Sequence, residues 1–201
     1  MERLDRQMRF AAEIGRLKGV LRQTVLAGPK LNRPENSAEH SWHLAMMALV
    51  LGEHAPQGTD LSKVTAMVLL HDLVEIDAGD LFLYADEDQQ ARQEIAERAA
   101  ADRIFAILPA DQGTIFRQLW DEFNERLTSE AKFARALDRL QPMLENLTAG
   151  GGTWQRHGVT ADQVLAKVQL IEDGSAPLGA LARKLITHAV TAGILAPSRA
   201  T

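Results

Sequence analysis

Apolar residues recur every three to four positions along most of this chain, and the alternation of a half-buried strand is absent. That spacing predicts helices over Asp5–Leu26, Ala38–His54, Leu61–Glu75, Asp86–Ile107, Ala110–Asn124, Glu130–Leu147, Ala161–Ile171 and Pro177–Ala192. Alanine and leucine dominate these stretches, and both favour helix. The breaks are chemically sensible. "AGPKLNRPEN" carries two prolines and a glycine, "APQGTD" and "TAGGGT" are rich in turn formers, and Asp60 is a good N-cap ahead of Leu61. None of these breaks has the length or polarity of an interdomain linker, and the chain holds no internal repeat. The expected architecture is an all-α helical bundle over residues 1–201. Its core spans about 17–147, and C-terminal helices within 161–192 complete the bundle or form a dimer interface.

Three of the predicted helices carry a polar residue where the apolar pattern points inward. In "ENSAEHSWHLAMMALVL", Leu44, Met47, Ala48 and Leu51 follow His40 at one helical face, so His40 lies one turn ahead of the core stripe. An inward histidine taken alone is more often a core residue satisfied by one hydrogen bond than a ligand. The balance shifts with "VTAMVLLHDLVEIDAGD", where Val64, Met67 and His71 share a face and Asp72 follows at once. Burying an ionised aspartate costs several kcal/mol unless it is paired or bound to a metal. A further acid, Asp138, sits on the shoulder of the stripe made by Phe133, Leu137, Leu140, Leu144 and Leu147, beside the small Ala131 and Ala134. Two imidazoles and two carboxylates form a borderline-to-hard ligand set suited to Mn²⁺, Co²⁺, Fe²⁺, Ni²⁺ or Zn²⁺.

Composition narrows the chemistry. The absence of cysteine removes disulfides, thiolate metal sites and cysteine nucleophiles. A formal charge of −5 leaves no footprint for polymeric nucleic acid, although a local basic pocket for a small anion remains open. "MERLDRQMRF" lacks the apolar stretch of a signal peptide, and no segment has the run of apolar residues that a membrane span needs. A soluble, cytoplasmic protein is expected.

The stretches "RPENSAEHSW", "LLHDLVEIDAGD" and "SEAKFARALDRL" together resemble the HD-domain metal-dependent phosphohydrolases. The similarity is greatest to the branch holding the bacterial 5′-deoxynucleotidases and their eukaryotic HD-domain relatives. The resemblance implies an HD-type helical bundle with one divalent metal ion held by His40, His71, Asp72 and Asp138. It assigns catalysis to Glu75 and Asp80, and substrate contact to Arg22. It also implies a nucleotide substrate and a homodimer. One departure stands beside Arg22: that branch has a tryptophan at the next position, and this chain has Gln23.

The residues allow matching roles. A bound metal lowers the pKa of water and polarises a phosphoryl oxygen. Glu75, one turn beyond His71, can act as general base, and Gly79 can turn the chain so that Asp80 folds back to orient water or pass a proton. Arg22, Lys30 and Arg33, leading into the His40 helix, offer a cationic fork for a phosphate dianion. Trp42 reads as core, with a stacking platform as its alternative. His43 reads as a supporting or surface residue. His54, His157 and His188 carry no ligand spacing, and no histidine lies between His71 and Asp138, which points to one metal and away from oxygenase chemistry. The function expected is phosphate release from nucleoside 5′-monophosphates. The alternatives are a nucleotide pyrophospho- or triphosphohydrolase on the same scaffold, and a non-catalytic ligand-binding module.

Overall fold

Helix N-termini leave backbone N–H groups without partners, and this chain supplies a capping side chain at most of the helix starts that position the site. In the computed structural model, which describes residues 1–28 and 31–199, the order is α1 Glu2–Ile14, β1 Leu21–Gly28, β2 Leu31–Asn36, α2 Ser37–Leu51 and α3 Leu61–Leu70. There follow α4 Glu75–Ala78, α5 Glu87–Phe105, α6 Ala110–Glu125, α7 Ser129–Thr148, α8 Gly152–Arg156, α9 Ala161–Gly174 and α10 Ala176–Thr191. Asn36 and Glu39 form a capping box that starts α2, and Thr128 caps α7. Asp60 accepts from the N–H groups of Ser62 and Lys63 at 2.9 and 3.2 Å, as its position before Leu61 predicts. Asp60→Ala should therefore lower stability by about 1 kcal/mol, read as a shift in urea midpoint at unchanged slope. A change indistinguishable from zero would mean that water replaces the cap without loss.

The fold class is all-α, with one small antiparallel hairpin. α7 is its central rod. Phe133, Ala134, Leu137 and Leu140 of α7 are almost fully buried, packed by α2 and α3 and by α9, while α10 packs on α9. Gly174 permits the close approach of α9, because a side chain there would collide with the carbonyl of Lys132. A second apolar cluster joins Phe10 of α1, Ala101, Ile104 and Phe105 of α5 and Trp120 of α6. Val64, Met67 and Val68 belong to the first cluster and Leu70, Leu73 and Val74 to the second. The backbone thus passes from one core to the other between Val68 and Leu70, just ahead of His71–Asp72. Among the described residues no helix is long and apolar enough to cross a membrane.

Three local expectations are corrected. The first helix does not reach Leu26: it ends at Ile14, a 3-10 turn runs from Gly15 to Gly19, and residues from Leu21 form β1. Two glycines weaken a helix there, and the β-branched pair Thr24–Val25 is buried in the strand instead. The third helix stops at Leu70 rather than Glu75, since tighter bonds, Leu73 N–H to Leu70 O and Glu75 N–H to Asp72 O, turn the chain before α4. Trp42 is 64% exposed and not core. It lies two residues, about 200° of helix rotation, beyond His40, so it faces away from whatever His40 faces.

Candidate metal centre and its cavity

Both inward histidines are held by the same device. His40, in the first turn of α2 and fully buried, points Nδ1 at Gln141 Oε1 of α7 at 3.0 Å. His71, just past α3, points Nδ1 at the Val68 carbonyl at 2.9 Å. A carbonyl oxygen can only accept, so each Nδ1 is the protonated nitrogen and each Nε2 presents a lone pair. The Trp120 indole donates to the His71 carbonyl at 3.2 Å and steadies the backbone where the helix ends.

Those two Nε2 atoms face carboxylates. His40 Nε2 is 3.1 Å from Asp138 Oδ1 and 3.9 Å from Asp72 Oδ2. His71 Nε2 is 2.9 Å from Asp72 Oδ1 and 3.7 Å from Asp138 Oδ1. One donor atom each from His40, His71 and Asp72 falls within 4.8 Å of the others, and all three residues are buried. Lone pairs facing lone pairs at these distances repel unless a cation stands between them. Burial holds the His40 imidazole neutral, its pKa down at about 4. Burial disfavours charge on His71 too, yet Asp72 and Asp138 outweigh it and raise that imidazole to about 10, so the carboxylates here favour a positive charge at Nε2. Burial likewise opposes ionisation of Asp72, but His71 and Arg22 hold it far below the usual carboxylate range. The donor set therefore fits a divalent metal. Its outer partners, Gln141 and the Val68 carbonyl, are of the kind that orient ligating imidazoles.

The other candidate residues divide between site and surface. Glu75, the first residue of α4, is buried and accepts from the Ser37 hydroxyl at 2.5 Å. Burial, then the charge of Asp72, pushes its pKa well up. Gly79 takes φ +75°, a conformation that favours glycine, and the chain turns so that Asp80 accepts from the Gln23 N–H at 3.0 Å. Arg22 comes from β1 and is tied to Asp72 at 2.9 Å, Glu35 at 3.3 Å and Asp80 at 3.8 Å. Arg33 is exposed and forks onto Glu39 at 2.6 and 2.9 Å, away from the cavity that Arg22 lines. Lys30 lies outside the described residues. His43 is half-buried, 3.2 Å from Gln141 Nε2 and 3.4 Å from Glu145.

A cavity of about 370 Å³ opens over the centre, bordered by Arg22, Asp72, Glu75 and Asp80 and extending past Phe82, Tyr84 and Trp154. Four residues here escaped the sequence reading. Glu35 is 1% exposed beside Arg22 and accepts from Gln141 Nε2 at 2.8 Å; burial raises it to about 7. Gln141 joins Glu35 to His40, and its signal was a polar residue inside the stripe between Leu137 and Leu144. Arg135 and Arg139 both reach Asp138 Oδ2, at 3.0 and 3.4 Å, and their signal was two arginines one turn apart flanking an inward acid. Burial pushes the Arg135 guanidinium down to about 10 despite Asp138, with Arg139 and Arg126 as like-charged neighbours.

The sequence profile of the HD domain matches residues 14–177. The chain is 29% identical over 142 residues to the 5′-deoxynucleotidase HDDC2 of Xenopus laevis, a match covering 70% of this chain and 67% of that one. The human 5′-deoxynucleotidase HDDC2 is 28% identical over 138 residues, covering 69% and 65%. The match thus spans about two thirds of the length of these curated relatives. A crystal structure of a predicted metal-dependent phosphohydrolase from Magnetospirillum magnetotacticum superposes with a TM-score of 0.92 at 49% identity, over 98% of this chain and 97% of that one. An HD-domain phosphohydrolase from Listeria innocua shares the fold at a TM-score of 0.59 and 18% identity, over 92% and 85%.

Proposed function

The chain belongs to the HD-domain family and is a phosphohydrolase, and on that premise we propose that it releases phosphate from nucleoside 5′-monophosphates, using one divalent metal held by His40, His71, Asp72 and Asp138. The observation that carries the reading is the convergence of two imidazole lone pairs and two carboxylates beneath a cavity that His71, Asp72 and Asp138 line, with a further buried acid, Glu75, beside them. When bound, such a metal supplies a Lewis acid and makes water a stronger nucleophile near neutral pH.

The remaining steps fall to the chain's own groups. Glu75 takes a proton from the attacking water; its raised affinity for protons suits that task, and the Ser37 hydroxyl fixes the carboxylate's orientation. Asp80, held by the Gln23 N–H, orients the water or passes a proton to the departing sugar oxygen. Arg22 turns from its carboxylate partners toward the phosphate and neutralises it through charge-assisted hydrogen bonds. Phe82, Tyr84 and Trp154 give the sugar and base an apolar boundary.

Arg22→Ala should lower kcat/KM by about 10–100-fold, the scale of one or two charge-assisted hydrogen bonds, and by the same factor for every nucleoside 5′-monophosphate. A loss confined to one base would remove Arg22 from the phosphate. The reading as a whole is tested by incubating nucleoside mono-, di- and triphosphates with Mn²⁺, Co²⁺, Mg²⁺ and Zn²⁺ and identifying the product. Inorganic phosphate from monophosphates is the expected result. Pyrophosphate or triphosphate release, with monophosphates untouched, would overturn it.

A further inference from the structure

The charges around Asp138 do not balance. One of its oxygens faces the two histidines, and the other serves both Arg135 at 3.0 Å and Arg139 at 3.4 Å. Two guanidiniums therefore share one carboxylate oxygen, and a cation bound at the histidines draws on that same carboxylate. Each guanidinium also keeps a buried Nε–H with no acceptor. Buried donors are normally paired, and one left alone costs about 1–3 kcal/mol. The Arg135 plane is held in place by the Phe123 ring, 4.2 Å from its central carbon.

The excess continues away from the metal centre. Arg126, which ends α6, and Lys167, on α9, line the same cavity, and among the described residues neither forms an ion pair. Of the acids lining that side, Glu94 pairs with Arg98, while Glu97 accepts from the Gln93 amide and faces the charge of Arg135, one carboxylate against several cations. Arg139, Tyr84 and Lys167 of α9 line the same cavity as Arg126 and Arg135, so its wall carries four cations beside an aromatic ring. Phe82, Tyr84 and Trp154, which suit a sugar and base, line the same cavity as these cations, and among the described residues neither Arg126 nor Lys167 pairs with Asp72, Glu75 or Asp80. A second phosphate in a pyrophosphate linkage would instead crowd against those acids.

We propose that Arg126, Arg135, Arg139 and Lys167 form a second anion subsite, and that the preferred substrates carry a phosphate on the sugar besides the scissile 5′-phosphomonoester, as nucleoside 3′,5′-bisphosphates do. This rests on the phosphomonoesterase reading above. Water attacks the 5′-phosphorus, the bond to the 5′-oxygen breaks with a proton delivered to that oxygen, and inorganic phosphate and a nucleoside 3′-phosphate leave.

The test compares adenosine 3′,5′-bisphosphate with adenosine 5′-monophosphate in the Mn²⁺-loaded protein. The bisphosphate should show a kcat/KM higher by about ten-fold or more, the order that one charge-assisted hydrogen bond supplies. In Lys167→Ala and in Arg126→Ala that ratio should fall toward one. Equal or lower values for the bisphosphate in the parent overturn the subsite. So does an equal loss on both compounds in the variants, which would put these cations on the scissile phosphate. Calorimetric titration of both compounds into Mn²⁺-loaded Glu75→Gln protein reads the subsite apart from turnover. Tighter binding of the bisphosphate, abolished by adding Lys167→Ala, upholds it, and equal affinities overturn it. Failure of the phosphomonoesterase reading has a different signature, no phosphate from any monoester with any metal.

Discussion

Asp72→Ala should lose bound metal and phosphate release together, with kcat/KM falling by about 10³-fold or more, the loss of several kcal/mol of charge stabilisation that a metal brings to a phosphoryl transition state. Asp72 ties both histidines to Arg22: its two oxygens meet His71 at 2.9 Å and Arg22 at 2.9 Å, and His40 at 3.9 Å. Removing it leaves Asp138 Oδ1, at 3.7 Å, as the nearest carboxylate oxygen to His71 Nε2 and frees Arg22 from its nearest partner. His71→Ala should behave alike. Metal content by elemental analysis and activity are read on the same preparations, and circular dichroism checks that the helices persist. Full metal occupancy in both variants would sink the ligand assignment. Dialysis of the parent against a chelator should reproduce the loss, and Mn²⁺ or Co²⁺ should restore activity in the parent alone.

Glu75→Gln separates chemistry from metal binding. The substitution is nearly isosteric and keeps an oxygen to accept from the Ser37 hydroxyl, so fold and metal content should survive. What it removes is the proton acceptor, and turnover should drop by about 10²–10⁴-fold, the usual contribution of a positioned acid or base. KM should change little, because the lost interaction belongs to the transition state. Turnover within a few-fold of the parent would take the base role from Glu75. Loss of metal in this variant would show instead that Glu75 supports the ligand set.

The helical framework was legible because burial in a bundle leaves a strong period in the sequence. The helices carrying His40, His71 and Asp138 were each visible as an apolar stripe with one polar residue on its inward side. The hairpin was not. Thr24 and Val25 are the β-branched pair that mark it, but a two-stranded hairpin backed by helices shows too little alternation to compete with the helical period of the residues before it. The turn at His71–Val74 was equally hidden, since nothing in "HDLV" breaks a helix. It forms on the tighter bonds from Leu73 N–H to Leu70 O and from Glu75 N–H to Asp72 O, which hold Leu70, Leu73 and Val74 together in the second cluster. Glu35 and Gln141 escaped because what gives each its place is a partner about 100 residues away, Gln141 with Glu35 and His40, and no local pattern reports a contact of that range. Trp42 shows the opposite failure. Its spacing from His40 already put it on the outer face, and its apolar character overrode that information.

The hairpin also divides the site between two kinds of scaffold. The residues that face one another across the candidate metal centre come from α2, the end of α3 and α7, elements locked into the core, whereas Arg22 arrives on a strand with a single partner strand. Backbone bonds from Gln23 to Asp80 and Thr153 pin that strand to the cavity rim without involving any side chain of Gln23. Substitutions at Gln23 can therefore sample new side chains against the substrate while the anchoring bonds stay intact. Substrate range in this scaffold can drift on an evolutionary timescale that leaves the hydrolytic machinery untouched, which is the separation of a tolerant recognition loop from a rigid catalytic frame.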